Sequence, residues 1–543
     1  MIYSYHIGVN MLKIRHCKYL LLLLLLGTVG TMEGMAKDAF TLRAHNDGYI
    51  QYNSIHGEGK SQSMLQEGWG YYDQFNIYSR GKVDDYKYYF NLGLKATNDR
   101  TKDVKDLSLT TIKGSLSNKN HALKAGDVYQ SFSQYALNAP VKGISYDYKN
   151  DTGSEKVQLV VGESLPRWDS FWSDQTKTTK RLVYGGKYTH NFSPTLSTGV
   201  SFVGTDDDKS DSVFASMPLY RNYLGTLDLV YRPLRGLIIT GEYSYSDNTR
   251  KKTDTFVEQK ESGSAYKIRA VADQDPSRVE LEYEYVDPGY ITLSGSATPD
   301  RQKAKATWRY KQSRDLYTHV GMLWFRDNLE NQKSGTTHTY RPSIGVTLNH
   351  LWSRSRATAD LTYKYDYIKR PLQESKNHFI DLNYQDMFGS IGSITNLGYH
   401  IYNVSGDTVK NNEVVFNTAL NGRYYWSAVV MKPTLYFGTW NQDDELQNND
   451  STFFQAAIGF GLDVPKQKIT SSLRVGKNKT DRKNFDNNEK FFATLNLYWR
   501  AGDLSVFKRS LLYLRAFHND FSYTQVSRDF QEDSIVLGLK NQF

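Results

Sequence analysis

The last eleven residues, DSIVLGLKNQF (533–543), alternate between two kinds of side chain and stop at an aromatic residue. Counting back from Phe543, every second residue is Phe, Asn, Leu, Leu and Ile, whereas the residues between them are Gln, Lys, Gly, Val and Ser. A period of two is typical of a β-strand whose two faces lie in different environments. The chain therefore ends in a predicted strand with one apolar face and one mostly polar face.

Two kinds of β-protein accommodate such a strand. In a soluble sandwich the apolar face points inward to a core, and a terminal Phe has no special meaning. In a transmembrane barrel the apolar face points outward to lipid, and aromatic residues lie in the interfacial girdles. The final strand does not distinguish the two folds, but the rest of the chain does.

Segments of about ten residues with the same alternation recur along the chain. In RVELEYEY (278–285), Val, Leu and Tyr alternate with three glutamates, and in QKAKATWRYK (302–311), Ala, Trp and Tyr alternate with Lys, Thr and Arg. NYLGTLDLVYR (222–232) and ATADLTYKYDY (357–367) have the same pattern. Apolar faces that end in Tyr or Trp are expected of a lipid-facing band edged by aromatic residues.

The connections between these segments alternate in length. Long polar stretches such as NKTDRKNFDNNE (478–489), KRPLQESKN (369–377) and DNLENQKSGTTH (327–338) alternate with short ones such as VPKQ (464–467), SRSR (353–356) and PLRG (233–236). Short turns at one end and long loops at the other are typical of transmembrane barrels. A soluble sandwich gives no reason for this alternation to persist over most of the chain.

These features predict an all-β protein, a single transmembrane antiparallel up-and-down β-barrel with short periplasmic turns and long extracellular loops. The count is roughly 26 strands if FTLRAHNDGYIQY (40–52) is the first strand, or roughly 24 if it is a plug or a periplasmic extension. Both counts are even, so both termini are expected in the periplasm. We therefore predict an N-terminal segment over 37–66 and one barrel domain over 67–543, because no Pro/Gly/Ser linker interrupts the spacing.

The overall composition favours strands as the membrane-spanning element. The chain of 543 residues contains 14% aromatic residues and has a mean hydropathy of −0.60. Beyond the first forty residues, no apolar run approaches the roughly 20 residues that a spanning helix needs. Barrel strands place apolar residues only at alternate positions, so a low average hydropathy is compatible with a membrane barrel.

Residues 1–36 have the organisation of a secretion signal. A basic stretch from Met11 precedes the apolar run LLLLLLLGTVG (20–30) and the small residues Gly34 and Ala36. We expect translation to start at Met11 and cleavage to follow Ala36. The alternative, an N-terminal membrane anchor, would need a longer apolar run.

The predicted cleavage also removes Cys17, which is the single cysteine of the chain. A mature chain without cysteine has no disulfide, no thiolate metal site and no covalent haem attachment.

The sequence contains no recognisable catalytic or cofactor motif. It lacks HExxH, GxSxG, P-loop and CxxC patterns, and its histidines are scattered singly. Basic and acidic residues are interspersed without a basic face, although the formal net charge is +9. The sequence therefore predicts neither an enzyme nor a metal or cofactor site, and it does not favour nucleic-acid binding.

Charged residues on two consecutive predicted strands are expected to face the barrel lumen, because the opposite face of each strand is apolar. These lumen-lining charges are Glu280, Glu282, Glu284, Lys303, Lys305 and Arg309. One interpretation is that opposite charges on neighbouring strands neutralise each other across the hairpin. The other is a pore lining whose field orients or selects a solute. The sequence leaves both open.

One stretch, LKAGDVYQSFSQYALNAPVKG (123–143), departs from simple alternation. Asp127 follows a glycine and is a candidate to accept hydrogen bonds from backbone amides at a bend. Asp127, Phe132 and Tyr135 are candidates for an inward constriction. The alternative is an ordinary outer loop of slightly apolar sequence.

A second stretch, YVDPGYITLSG (285–295), has a similar character. Its Pro-Gly pair predicts a turn. Tyr290 and Ile291, which follow that turn, are candidates to fold inward.

The predicted signal, the alternating strands, the loop asymmetry and the terminal Phe543 together resemble Gram-negative outer-membrane β-barrel proteins of the porin-like, large-channel class. The resemblance covers nearly the whole mature chain at the level of architecture. It implies that the last strand, with Phe543, Leu539 and Leu537, is the signal read by the barrel-assembly machinery. It also implies an integral protein of the cell outer membrane in contact with membrane lipid and lipopolysaccharide.

The predicted strand number bears on function. Such a barrel encloses a lumen far wider than a small-solute porin needs, so inward loops, the N-terminal segment or a lumen-filling periplasmic partner should occupy part of it. The first hypothesis is a wide channel or an export conduit. The alternative is a structural sheath or assembly barrel that encloses a periplasmic protein or a surface polymer, and an outer-membrane enzyme is the least favoured.

Overall fold

The computed structural model describes residues 40–164, 167–169, 180–207, 218–251, 258–353, 356–405, 409–446, 449–505 and 507–543. The predicted signal over residues 1–36 lies outside these described residues. Among the described residues, no helix is long and apolar enough to span a membrane.

Alternating side chains and continuous backbone pairing produce 26 antiparallel strands. The strands are β1 Phe40–His56, β2 Gly68–Val83, β3 Tyr86–Thr97, β4 Leu107–Ser117, β5 His121–Ser131, β6 Asn138–Lys149, β7 Glu155–Glu163, β8 Arg181–Ser193, β9 Leu196–Asp207, β10 Leu219–Leu234, β11 Leu237–Lys251, β12 Glu258–Gln274, β13 Ser277–Val286, β14 Arg301–Lys311, β15 Leu316–Asp327, β16 His338–Asn349, β17 Thr358–Arg370, β18 Gln373–Phe388, β19 Ile391–Ser405, β20 Val409–Gly422, β21 Val429–Asp444, β22 Ser451–Val464, β23 Ile469–Arg482, β24 Asn488–Leu504, β25 Phe507–Tyr523 and β26 Phe530–Gln542. Tyr424–Trp426 continues β20 after Arg423 and also pairs with β21. Short 3-10 turns lie at Lys60–Gln62, Leu351–Ser353 and Val526–Arg528.

The first and last strands close the sheet into a barrel. Tyr49 of β1 lies opposite Tyr72 of β2 on one side and Gly538 of β26 on the other. The pairing extends to the final residue, because the Phe543 amide donates to the Ala44 carbonyl at 2.9 Å. This closure confirms the predicted fold class, and residues 40–56 form a wall strand, which gives the larger of the two predicted counts.

The two faces of the wall differ as the alternation predicts. On the outer face, apolar side chains are exposed to the surroundings, for example Ile50 at 50% and Leu537 at 52%. On the inner face of β1, the neighbouring Gln51 and Asn53 are buried. An exposed apolar band around a closed sheet is the surface that lipid covers in a transmembrane barrel.

The connections also follow the predicted alternation. We call the rim where β1 begins and β26 ends the terminal rim, and the opposite rim the loop rim. Two-residue turns such as 84–85 and 235–236 lie at the terminal rim, whereas 57–67, 287–300 and 328–337 lie at the loop rim.

The structure differs from the sequence-based expectation at two connections. KRPLQESKN (369–377) reads as a long loop, but β17 and β18 pair until only residues 371–372 remain between them. Conversely, the connection around SRSR (353–356) runs from 350 to 357 and contains a 3-10 turn. Polar residues at the rim can continue a β-hairpin as well as form a loop, so polarity alone does not locate the end of a strand.

The register can be tested by cysteine labelling, because the chain has no cysteine other than Cys17 in the predicted signal. Lys305 lies on the inner face of β14 and Ala304 on the outer face. We expect Lys305→Cys to react with a small water-soluble thiol reagent and Ala304→Cys to be protected by lipid. Reversed labelling would mean that the register is wrong by one residue, since such a slip exchanges every inner side chain for an outer one.

Candidate pore and its inward-folded segments

Within the described residues, two complete connections leave the wall and fold into the barrel. We call residues 132–137, between β5 and β6, the first inner segment, and residues 287–300, between β13 and β14, the second inner segment. Both connect strands at the loop rim. Their side chains contact the inner faces of strands that are distant in sequence.

The first inner segment starts from a break in the ladder between β4 and β5. Pairing of these strands ends at Lys113 opposite Gly126, which has a φ of +95°. A Cβ atom at Gly126 would lie 2.1 Å from the Ile112 carbonyl oxygen, so the position requires glycine. The Asp127 carboxylate accepts a hydrogen bond from the Ile112 amide at 2.9 Å. This bond satisfies a backbone donor that β5 no longer pairs with.

The Asp127 carboxylate also binds one cationic and one aromatic side chain. Its carboxylate accepts hydrogen bonds of 2.8 Å from Lys142 Nζ and from Trp168 Nε1. Lys142 Nζ in turn lies 5.0 Å from the Trp168 ring centroid. Asp127 therefore holds the base of the bend, whereas Phe132 and Tyr135, the other two candidates from this stretch, lie at its tip.

The tip of the first inner segment is fully buried. Tyr135, Ala136 and Leu137 are all 0% exposed. They pack in one cluster with inner-face side chains from β6 to β10, β12 and β13, namely Val141, Val160, Val183, Val203, Leu224, Ala265 and Val286. The wall from β6 to β13 therefore curls around this segment and forms a lobe with a hydrophobic core.

Polar bonds anchor the first inner segment to the same strands. The Tyr135 amide donates to Glu242 Oε1 at 2.9 Å, and the Tyr135 hydroxyl donates to Glu284 Oε1 at 2.9 Å. Lys187 Nζ donates to the Phe132 carbonyl at 2.5 Å and pairs with Asp228. Burial and the adjacent Glu284 carboxylate raise the pKa of Tyr135, so its hydroxyl keeps the proton that it donates.

The second inner segment forms the other wall of the same lobe. Asp287 accepts hydrogen bonds of 2.6 Å from both the amide and the hydroxyl of Ser264. Tyr290 is 0% exposed and donates its hydroxyl to Ser244 Oγ at 2.9 Å. A Cβ atom at Gly289 would lie 2.4 Å from the Ser262 carbonyl oxygen, so this turn needs glycine for the close approach.

The two inner segments bind each other directly. The Ser296 amide donates to the Gln134 carbonyl at 2.8 Å, and the Asn138 amide donates to the Ser294 carbonyl at 2.9 Å. Between these bonds, a Cβ atom at Gly295 would lie 2.1 Å from the Tyr135 carbonyl oxygen. Gly295 therefore lies against the backbone of the first inner segment, with no room for a side chain between them.

Five of the six predicted lumen-lining charges belong to an ion-pair network of two neighbouring groups, one around Glu282 and Glu284 and the other around Glu280. Lys303 Nζ lies 2.8 Å from Glu282 and 2.7 Å from Glu284, and Lys305 Nζ lies 3.5 Å from Glu280. The network also contains two cations of β12 that the sequence analysis did not select, Lys267 at 3.0 Å from Glu282 and Arg269 at 3.1 Å from Glu280. Three carboxylates thus face four cations, an arrangement that neutralises charge locally.

The sixth residue, Arg309, lies apart from this network. It is exposed and lies opposite Arg278 on β13 and His319 on β15. No carboxylate pairs with Arg309 in the part of the chain that the structure describes. Arg309 lines a cleft that it shares with Glu280 and Asp360.

The sequence predicts the face of three further inner residues, Lys267, Arg269 and Glu242, but not all of their partners. Lys267 and Arg269 alternate with Tyr266 and Ile268, the same pattern that identified the charges of β13 and β14. Glu242 alternates with Gly241 and Tyr243 in the same way, but no local pattern predicts its partner, because Tyr135 lies 107 positions away in the chain.

The predicted assembly residues lie at the closing pair of strands. Leu537 and Leu539 face outward, and the Phe543 ring centroid lies 5.1 Å from that of Phe507 and 6.4 Å from that of Phe75. Their role as an assembly signal stays a prediction.

Away from the lobe, the inner face is polar and more open. A cleft of about 690 Å³ lies along β21–β25 and is lined mainly by amide, hydroxyl, glycine and cationic residues. Within the described residues, no group of three His, Asp or Glu side chains is arranged to hold a metal ion.

Comparison with known proteins gives similarity in fold only. No protein-family model matches the chain, and no curated protein matches it. The chain is similar to the translocation pore of the P pilus usher PapC, with 8% identity and a TM-score of 0.38 over 92% of this chain and 99% of that one. It is also similar to the siderophore receptor PirA from Pseudomonas aeruginosa, with 10% identity and a TM-score of 0.42 over 94% and 81%.

A third similar structure is the outer membrane protein OpdK from Pseudomonas aeruginosa, with 10% identity and a TM-score of 0.29 over 94% of this chain and 100% of that one. Likenesses at such identities and TM-scores carry no argument about solute or partner. The closed sheet with its outer apolar band is that of an integral outer-membrane β-barrel.

The anchoring of the first inner segment can be tested at Tyr135. Tyr135→Phe removes the bond to Glu284, and a hydrogen bond to a charged group contributes about 1.5–3 kcal/mol. We expect hydrogen–deuterium exchange in peptides covering 132–137 to become roughly tenfold faster or more, since that free energy governs local opening. Tyr243→Phe, on the outer face of β11, is the control and should leave this exchange unchanged. Unchanged exchange in Tyr135→Phe as well would contradict the anchoring.

Proposed function

We propose that this protein is an outer-membrane channel in which the chain itself fills one side of a wide lumen and leaves an aqueous path along the other side. The observation that carries the proposal is the contrast between the two sides. Tyr135 and Tyr290 are fully buried in the lobe, whereas Arg474 and Arg515 on the inner face of β23 and β25 are exposed.

The width of the barrel supports a partial filling. With strands about 4.8 Å apart and tilted by about 40°, a circular barrel of 26 strands would measure on the order of 50 Å across. The two inner segments bind the inner faces of β8–β13, for example at Lys187 of β8 and Glu284 of β13. Filling this lobe narrows the lumen and leaves the inner faces of the later strands accessible to water.

The orientation belongs to the same proposal. The terminal rim would face the periplasm and the loop rim the cell exterior, as the resemblance of the last strand to an assembly signal implies. The inner segments connect strands at the loop rim, so they would narrow the path from its outer side.

The main alternative is a sheath or assembly barrel that encloses a periplasmic partner or a surface polymer. The two inner segments favour the channel, because a lumen that the chain already fills leaves less room for a second protein. Single-channel recording distinguishes the two functions. A self-filled channel should give discrete conductance steps, whereas a sheath without its partner should be noisy or remain widely open.

The contribution of the inner segments can be tested at Gly295. A methyl group there would lie against the Tyr135 carbonyl, so Gly295→Ala should separate the two segments and increase the conductance of single channels in planar bilayers. Gly225→Ala is the matched control, because a Cβ atom at this outer-face glycine has no neighbour within 4 Å. Both variants should keep the heat-modifiable gel mobility of a folded barrel.

Two results would contradict the proposal. A folded wild-type protein that gives no conductance steps would exclude the channel. An unchanged conductance in folded Gly295→Ala would show that the inner segments do not restrict the path.

A further inference from the structure

We propose that the inner face of β22–β25 is a binding track for small hydroxylated organic anions, such as sugar acids. This inference rests on the proposed channel function and specifies its solute class. The track is defined by three cations, Arg474 on β23, Lys490 on β24 and Arg515 on β25, together with the cleft between them.

The three cations form a diagonal series along the path. Lys490 lies opposite Asn478, Arg474 lies opposite Thr494, and Arg515 lies opposite Asn496. Lys490 and Asn496, the residue opposite Arg515, are therefore six positions apart on β24, or about 20 Å along the strand. A solute that moves along the wall would pass from one cation to the next.

None of the three cations of the track forms an ion pair with a carboxylate of the described residues. The track comprises the inner-face positions from Phe453 to Asp463 of β22 and the positions that face them on β23–β25, all of which are described. Asp463 is the carboxylate on this inner face, and it pairs with Lys432 of β21. On the next strand, Glu532 accepts hydrogen bonds from Ser63 Oγ at 2.6 Å and Asn519 Nδ2 at 3.2 Å. The track differs in this respect from the network of β12–β14, where each carboxylate contacts a cation.

Each of these cations lies close to an aromatic ring rather than to a carboxylate. The Arg474 guanidinium lies 5.5 Å from the Phe492 ring centroid, and Lys490 Nζ lies 4.8 Å from that of Phe521. The Arg515 guanidinium lies 4.9 Å from the Tyr513 ring centroid. A ring positions a cation without cancelling its charge, so the donor groups remain available to an anion.

The cleft supplies the remaining contacts. Gly459 and Gly461 lie on its floor beside Thr434 and Lys432, and the amides of Asn478, Asn496 and Asn519 line its sides. The Asn478 Oδ1 atom is buried and has no hydrogen-bond partner among the described residues. A free amide oxygen accepts a bond from a hydroxyl group, which neither an inorganic anion such as chloride nor a carboxylate supplies.

These groups match the chemistry of a sugar acid. A guanidinium binds a carboxylate through two parallel hydrogen bonds, and side-chain amides and hydroxyls bind sugar hydroxyls. The cleft volume of about 690 Å³ lies within the range of small-molecule sites, roughly 300–1,000 Å³. The track therefore favours anions over cations and sugar acids over neutral sugars.

Ion selectivity provides the first test. In planar bilayers with a potassium chloride gradient, the wild-type reversal potential should show preference for chloride. The double variant Arg474→Gln with Lys490→Gln should shift it towards potassium. The matched control is Lys477→Gln with Lys479→Gln, which removes two charges from the outer face of the same strand, where they pair with Glu489 and Asp481.

The control should keep the wild-type reversal potential. Preference for potassium in the wild type, or an equal shift in the control, would overturn the inference. Such a result would leave the channel itself intact, whereas an absence of conductance would contradict the proposed function instead.

Solute binding provides the second test. Sodium glucuronate should reduce or interrupt the single-channel current at concentrations where glucose has no effect, and Arg474→Gln with Lys490→Gln should weaken that block at least tenfold. Equal block by glucose and glucuronate would overturn the assignment to organic anions. No block by glucuronate in a conducting channel would overturn the binding track.

Discussion

The closing ladder between β1 and β26 is the interaction on which the rest of the structure depends. In lipid, an unpaired backbone amide or carbonyl has no water to replace its partner, so an open sheet edge is not tolerated. The ladder runs from His45 opposite Gln542 to His56 opposite Gln531, and Phe543 extends it to Ala44. Closure at this strand number fixes the circumference, and the circumference creates a lumen that the wall alone cannot fill.

The two inner segments are a response to that lumen. A strand can separate from its neighbour within the barrel wall only if other groups form hydrogen bonds with the backbone amides and carbonyls that lose their partners. The Asp127 carboxylate forms such a bond with the Ile112 amide. At the tip, Tyr135 combines a buried ring with bonds to Glu242 and Glu284, so apolar packing and polar satisfaction coincide. The result is a barrel with two unlike sides, a dry lobe around β6–β13 and a polar, cationic wall along β22–β25.

Local alternation predicted most of the wall, because whether a residue faces lipid or lumen depends on its own strand. It placed Glu282 and Lys305 on the same face, and they lie directly opposite each other. It also selected Asp127, Tyr135 and Tyr290 as departures from the pattern. It could not predict that Tyr135 binds Glu242, since contacts across the lumen depend on how the closed wall curves. The cationic track was missed for a related reason, because the absence of carboxylates emerges only when four strands are aligned in register.

The filling of the lumen by the chain itself is most directly tested by a cross-link between the two inner segments. Gln134→Cys with Ser296→Cys should form a disulfide on mild oxidation of intact outer membranes, because the Ser296 amide donates to the Gln134 carbonyl. The product should be visible as a reductant-sensitive change in mobility of the boiled protein. Gln134→Cys with Ser472→Cys, on the opposite polar wall, should not cross-link. Failure of the first pair while both cysteines remain reactive, or equal cross-linking in the second pair, would contradict the account.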